Sequence, residues 1–433
     1  MKRPALNWGI QFKTVDSMAN KNGKVQKSTL EVIWPDTVYN GSGEVPDKPL
    51  HAVVPELIGN TKCKIQNFEP TGLRGLLEMC LPPYTSEDPE IRNQQIVIIC
   101  AFLAVSNSPF VRRYLGGCPS ITLGSWEPGT LKTSTAKLGQ LISGGDPGSF
   151  LETNSTAQAV EASQSQVSWV TTHDDAERQK GTHQNILGSY GGGIKSTVTK
   201  GSSEKVGGLC KTLNYTENMK IESKVIEGRD LLFDMLNKAK DSMKDRNVVD
   251  IYDMGMKHLE AMNKRSLPRD YIAEFTGNHF MHDGYDNEET NFQRCHRKAV
   301  DLIGQKKPSY QPRRLSSCAL PFTSYLLLEC DIEKKNDDLL RELFVDVFGD
   351  HSSFFDECIN EIEKAEVIIN QLNKNHCDEK KVDTDEENDE SQTDVPENEE
   401  EKVKALFESC LKDKSKLVLT RYMKIFDMGT YQV

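Results

Sequence analysis

The chain contains no Cys-x-x-Cys pair, although it has eleven cysteines. Their odd number and scattered positions do not form a disulfide framework, and they read as reduced thiols. There is no apolar run longer than the ten residues from Ile96 to Val105. A membrane-spanning helix needs roughly 20 such residues, so no membrane partner is expected. The opening MKRPALNWGIQF lacks the apolar core of a secretory leader. Gly-x-Ser-x-Gly and His-Glu-x-x-His are absent, which removes the best-defined hydrolase and metalloprotease frames. Aromatic residues make up 7% of the chain.

What is present begins with charge. The 433 residues carry a formal net charge of -12. Between Asp378 and Glu401 there are 13 acidic residues and two lysines, a local net of -11. The remainder is therefore close to neutral, at about -1. Like charges at that density repel, and little apolar surface is there to bury, so this tract is expected to be disordered. A low overall pI does not exclude a nucleic-acid partner, because phosphate contacts need only a local basic face.

Local patterns divide the rest. QFKTV and TLEVIW flank Asn22-Gly23 and predict an N-terminal β-hairpin. TSEDPEIRNQQ opens a helix, with Ser86 as its cap and Pro89 in the first turn, and IVIICAFLAV would make that helix buried on all sides. Residues 143–218 are rich in Ser, Thr, Gly, Gln and Asn and predict a long polar loop or insertion. GRDLLFDMLNKAKDSM predicts a helix with Leu232, Met235 and Leu236 on one side. DDLLRELFVDVFG and SSFFDECINEIEKAEVIINQL predict amphipathic helices, the former stopped by Gly349.

Several stretches bear on chemistry. GSYGGGIKSTVTKGSSEK, from Gly188 to Lys205, is glycine-rich like a phosphate cradle. Yet Ile194 separates Gly193 from Lys195, and no apolar strand precedes it, whereas a phosphate loop has Lys directly after Gly and follows a strand. The stretch reads as a flexible loop whose Lys195 and Lys200, with Lys211 beyond it, can touch a phosphate backbone. His279, His282, Cys295 and His296 are zinc-competent types, but their spacing fits no known finger and no metal is expected. KKPSYQPRRLSSCALPFTSY combines Arg313 and Arg314 with Ser316 and Ser317, donors that suit phosphate oxygens. KDKSKLVLTRYMKIF adds Arg421 and Lys424. Thr384 and Ser391 stand three residues before acids and are candidate phosphorylation sites.

Three of these places resemble the nucleoproteins of rhabdoviruses: EGRDLLFD with that family's EGRDxFD stretch, LSSCALPFTS with its LSSKSPYSS loop, and the acidic tract followed by LTRYMKIF with its acidic loop and closing element. Cys318 stands where the family's loop has Lys. The resemblance implies a mainly α fold with a small N-terminal β-hairpin region, in two lobes with an RNA groove between them. The parts would be an arm (1–20), an N-terminal lobe (21–262, with the polar insertion 143–218) and a C-terminal lobe (263–433, with the acidic loop 378–401 and a closing element 402–433). It implies a non-enzymatic protein without cofactors that encapsidates single-stranded RNA and forms homo-oligomers. A viral phosphoprotein and polymerase would be its partners, and virion and host cytoplasm its location. The alternative from composition alone is a scaffold that uses its acidic segment as a binding tail.

Overall fold

The computed structural model describes residues 9–13, 29–34, 37–47, 71–84, 89–144, 150–151, most of 160–176, 190–191, 194–197, 201–204, most of 207–219, 228–235, 268–281 and 289–386. Its contacts divide the chain into Met1–Cys377 and Asp378–Val433. Everything below concerns the first unit, apart from the end of its last helix.

Three short strands, β1 (Gly9–Lys13), β2 (Thr29–Ile33) and β3 (Val38–Asn40), form an antiparallel sheet in that order. The register pairs Gly9 with Ile33 and Lys13 with Thr29, so the predicted hairpin is present and gains a third strand. Asn22 and Gly23 lie outside the described residues.

Helices α1 (Gly72–Tyr84), α2 (Pro89–Ser106) and α3 (Ser108–Leu115) follow. Pro89 opens α2 as expected, and Ile96 to Val105 are buried on every side. Each Ile, Leu, Val or Phe removed from water in this way contributes about 1.5–3 kcal/mol. Ser86 lies outside the described residues.

The second sheet was not anticipated. Its strands are β4 (Ser120–Ser125), β5 (Phe150–Leu151), β6 (Val170–His173), β9 (Gly208–Asn214) and β10 (Asp230–Asp234), and the hairpin β7 (Ile194–Thr197) and β8 (Gly201–Glu204) lies between β6 and β9 in sequence. The spatial order is β10-β4-β9-β6-β5, with every neighbouring pair parallel. Helix α4 (Lys132–Ile142) leaves the end of β4 and packs against α2, β6 and β9. Gly139 makes that approach possible, because a Cβ there would sit 2.5 Å from the Phe102 ring.

Two expectations are thereby corrected. Residues 143–218 hold three strands of the parallel sheet in addition to polar loops. GRDLLFD is not helical: Asp230–Asp234 is an edge strand, with Leu231 to Phe233 buried. A strand covered on both faces carries a continuous apolar run without alternation, which imitates a buried helix.

The C-terminal half is helical: α5 (Arg269–Phe280), α6 (Asn291–Lys306), α7 (Pro312–Cys318), α8 (Leu320–Lys335), α9 (Asp338–Phe348) and α10 (His351–Glu386). The last two match the predicted amphipathic helices, and Gly349 caps α9 with φ 75°. Helix α10 continues to Glu386, inside the acidic run. Among the described residues the larger apolar core runs from Leu30 in β2 to Ile362 in α10, and a smaller cluster joins Tyr215 and Leu232 to α10.

Candidate functional site

The C-terminal ends of the parallel strands bring together polar side chains from widely separated parts of the sequence. In parallel α/β sheets this is the edge where ligands bind, at the point where the chain reverses its direction of travel. Here the chain runs from β4 out to β5, returns through β6 and β9, and crosses β4 to reach β10.

The loop after β4 is Trp126 to Leu131, and α4 begins at Lys132. Residues 126–133 read W-E-P-G-T-L-K-T. They fall on the frame Gly-x-x-x-x-Gly-Lys-[Ser/Thr] with Lys132 and Thr133 in place, and with Trp126 and Leu131 where that frame has glycine. The backbone keeps the turns the frame needs. Gly129 has φ 79°, and Leu131 is left-handed at φ 64°, ψ 16°. A left-handed conformation costs an L-residue with a Cβ about 1–2 kcal/mol, so the surrounding fold imposes it. Leu131 offsets the strain by packing its side chain against the core.

Lys132 is buried beneath this loop. Its ammonium donates to Ser125 Oγ at 2.6 Å, to Thr130 Oγ1 at 3.3 Å and to the Glu127 carbonyl at 3.3 Å. Thr133, one residue on, donates its hydroxyl to Asp174 Oδ1 at 3.0 Å. Asp174 and Asp175 follow directly on β6. Thr212 in β9, the strand between β4 and β6, donates to Asp174 Oδ1 at 2.6 Å and accepts from the Asp175 N–H at 2.9 Å. Asn214, the last residue of β9, donates to Asp175 Oδ1 at 3.1 Å. A lysine, two threonine hydroxyls, two carboxylates and a carboxamide thus gather at the C-terminal end of three adjacent strands, beside the N-terminus of α4.

This arrangement suits a phosphate. A helix N-terminus presents unpaired N–H groups and partial positive charge, and Lys132 adds a full charge beside it. The Thr133 hydroxyl and Asp174 carboxylate are hard oxygen donors of the kind that hold Mg2+ when substrate phosphates complete its shell.

Around this edge the other contacts are structural. Tyr215, just past β9, donates its N–H to the Ser125 carbonyl at 2.8 Å and meets Trp126 edge-on at 5.4 Å. Ala365, Ile368, Ile369 and Leu372 of α10 cover that pair. Asp234 ends β10 near Glu361 of α10. Burial, reinforced by Glu361, pushes the Asp234 carboxyl up to about 6, and burial also raises Glu361.

The residues singled out from sequence fall elsewhere. Lys211 is in the interior of β9, 3.5 Å from Asp230, and both side chains are 1% exposed. Ser120 and Thr122 donate to the same carboxylate at 2.6 Å each. Burial lowers the Lys211 pKa, with Asp230 opposing; Asp230 ties β9, β10 and β4 together through Lys211, Ser120 and Thr122, and the lysine is not presented to solvent. Lys195 lies in β7. Lys200, Ser391, Arg421, Lys424 and His282 lie outside the described residues, and Thr384 falls in the last turns of α10.

The Ser/Pro stretch is helical rather than a loop. Ser317 is buried in α7 and donates to the Gly228 carbonyl at 2.9 Å, so its hydroxyl is not offered to a ligand. Ser316 lies 3.0 Å from His296 Nε2, whose other ring nitrogen is 3.1 Å from Thr323. Burial pushes the His296 pKa down to about 4. His279 is buried 3.0 Å from Asp331. Among the described residues, no group of three His, Cys, Asp or Glu is placed to hold a metal alone.

Arg313 is exposed, with its guanidinium 5.8 Å from the Tyr190 ring centre, and Arg229 approaches the same ring at 5.8 Å. Arg314 lies 3.9 Å over Tyr310 and 3.3 Å from Glu366. From Arg294 to Arg314 the chain has seven Lys and Arg and a single acid, Asp301. Arg294, Arg297, Lys298, Lys306 and Arg313 are exposed.

The sequence reading missed the site because it required a glycine immediately before the lysine. Two signals were available: the apolar SITLGS ahead of a Lys-Thr that opens a helix, and WVTTHDD, an apolar strand ending in paired acids.

No family model matches the chain, and no curated protein does. Among solved structures, the active helicase SCCmec type IV Cch is similar at a TM-score of 0.45 and 15% identity, over 85% of this chain and 63% of that one. The chain thus spans less than two thirds of the helicase's length. The apo A form of the NrS-1 C-terminal region is similar at a TM-score of 0.28 and 9% identity, over 74% of this chain and 89% of that one. Both likenesses are too slight to carry an argument.

Proposed function

We propose that the chain is a P-loop protein that binds a nucleoside triphosphate with Mg2+ at the C-terminal edge of its parallel sheet. One observation supports this above the others. Lys132 and Thr133 open α4 directly opposite Asp174 and Asp175, with Thr133 hydrogen-bonded to Asp174. In this reading Lys132 leaves its loop partners for the β- and γ-phosphate oxygens, and the first N–H groups of α4 take the same anion. Thr133 and Asp174 would hold Mg2+, which supplies charge neutralisation between the phosphates. Asp175, held by Asn214, would orient a water toward the terminal phosphorus and accept its proton. The phosphoanhydride bond would then break, the nucleoside diphosphate leaving with the bridging oxygen.

Equilibrium titration with a fluorescent ATP analogue in Mg2+ tests the reading. Saturable binding that Lys132→Ala abolishes supports it. Identical behaviour of wild type and Lys132→Ala at every concentration overturns it.

A second reading keeps a polyanion as partner. The exposed basic residues of α6 and α7 favour contact with a single-stranded RNA backbone, which requires no base readout. Arg294→Glu with Lys298→Glu should weaken RNA binding and flatten its salt dependence. Encapsidation between two lobes, the homo-oligomer and the viral partners are supported by the resemblance alone, as is the absence of catalysis that it implies.

A further inference from the structure

The phosphate loop departs from its frame at two positions, and both departures change how it can grip a ligand. Glycine in such a loop has two uses. It adopts left-handed backbone without strain, and it lets the backbone come close to a phosphate because no Cβ intervenes. Leu131 adopts the left-handed conformation with a full side chain, and it immediately precedes the lysine. That side chain is seated against the core, so this end of the loop is anchored. Trp126 anchors the other end against Tyr215 and α10. Directly after Leu131, Lys132 is turned inward onto Ser125, Thr130 and the Glu127 carbonyl. Ser125 is the centre of this arrangement, since its hydroxyl also donates to the Glu127 carbonyl at 2.6 Å and accepts from Thr130 at 3.0 Å.

We propose that Leu131 is a brake on nucleotide affinity: with Ser125, it holds the phosphate loop in a pinned conformation that binds triphosphate weakly, and glycine at this one position releases it. The proposal rests on the nucleotide reading above and adds that the wild-type site is set to low affinity by its own loop. The physical reason is that two adjustments are blocked together. The Leu131 side chain, packed against the core, keeps the loop from shifting, and Lys132 must leave Ser125, Thr130 and the Glu127 carbonyl before it can meet the ligand.

The test compares wild type, Leu131→Gly, Leu131→Ala and Ser125→Ala in equilibrium titrations with the fluorescent ATP analogue and Mg2+. Lys132→Ala in the Leu131→Gly background serves as the control. Leu131→Gly is expected to bind at least ten-fold more tightly than wild type. Leu131→Ala should gain less, because it keeps a Cβ in the left-handed region. Ser125→Ala should gain by freeing Lys132 without disturbing the core. If Leu131→Gly loses its cooperative melt, Ser125→Ala decides alone.

Wild-type binding that depends on Lys132, with no gain in Leu131→Gly or Ser125→Ala, overturns the brake and leaves the nucleotide reading standing. Failure of wild type and all folded variants to bind overturns both. Wild-type binding that Lys132→Ala removes, with binding by Leu131→Gly that is tighter still and depends on the same lysine, upholds both.

Discussion

Replacing Asp234 by Asn should make the protein more stable at neutral pH. Asp234 sits at the end of β10, next to the strand that leads into the Trp126–Leu131 loop, and faces Glu361 and Lys364 of α10 as well as Tyr215. Burial, and then the Glu361 carboxylate, raise its pKa from 3.8 to about 6. A carboxyl whose folded pKa lies above its unfolded one favours the folded state while both forms are protonated. That advantage fades as pH rises through the folded value. At about 1.4 kcal/mol per pH unit, keeping this group ionised at neutral pH costs at most ~3 kcal/mol. Its partial exposure reduces the figure to about 1–2 kcal/mol. Asn keeps the shape and removes the charge. Urea denaturation at pH 4, 5, 6 and 7.5 measures the effect. The variant should be the more stable protein at pH 7.5, with the difference closing toward pH 4. Some slope should remain, because burial raises Glu361 as well. Equal stability at pH 7.5, or a loss there, would refute the reasoning.

Lys211→Met should destabilise the fold by about 3–5 kcal/mol, because Asp230 would keep a buried charge with only hydroxyl partners; chemical denaturation reads this directly, and Lys211→Met with Asp230→Asn should recover part of the loss. Gly139→Ala should cost about 1–3 kcal/mol through the clash with Phe102, seen as a lower melting temperature. Thr290→Ala should cost ~1 kcal/mol, since it removes the cap of α6, where Thr290 and Gln293 satisfy each other's backbone N–H groups. Asp174→Asn should remove the dependence of nucleotide affinity on Mg2+ while Mg2+-free binding is retained, as titrations with and without chelator would show.

The helices were easier to read from the sequence than the sheet. α9 and α10 show apolar residues at helical spacing with a glycine stop, and α2 shows a proline start and a solid apolar run. These are local signals. The parallel strands carry none that is unambiguous: Asp230–Asp234 is as apolar as a helix face, and β6 and β9 lie in polar surroundings whose composition suggested a loop. The pairings of β4 join distant residues, Ser120 with Asp230 and Ile121 with Cys210, so no short window of sequence contains them. The site was concealed for a related reason. Its lysine and threonine are present, but Leu131 holds by tertiary packing a conformation that glycine would reveal in the sequence. Arg313 is exposed, whereas Ser317 and Lys211 are buried, because burial depends on partners that local composition does not show.

The apolar stretch Ile96–Val105 of α2 also sets a condition on synthesis. It packs most extensively on α8, whose first residue, Leu320, follows Ser106 by about 210 positions. At typical translation speeds of roughly 5–20 residues per second, α2 waits ~10–40 s for that cover. The strands that shield it from the other side also arrive later. During that interval the nascent chain exposes a sticky ten-residue segment, so a holding chaperone that binds short apolar stretches should engage ribosomes paused between these two helices and release once α8 has emerged.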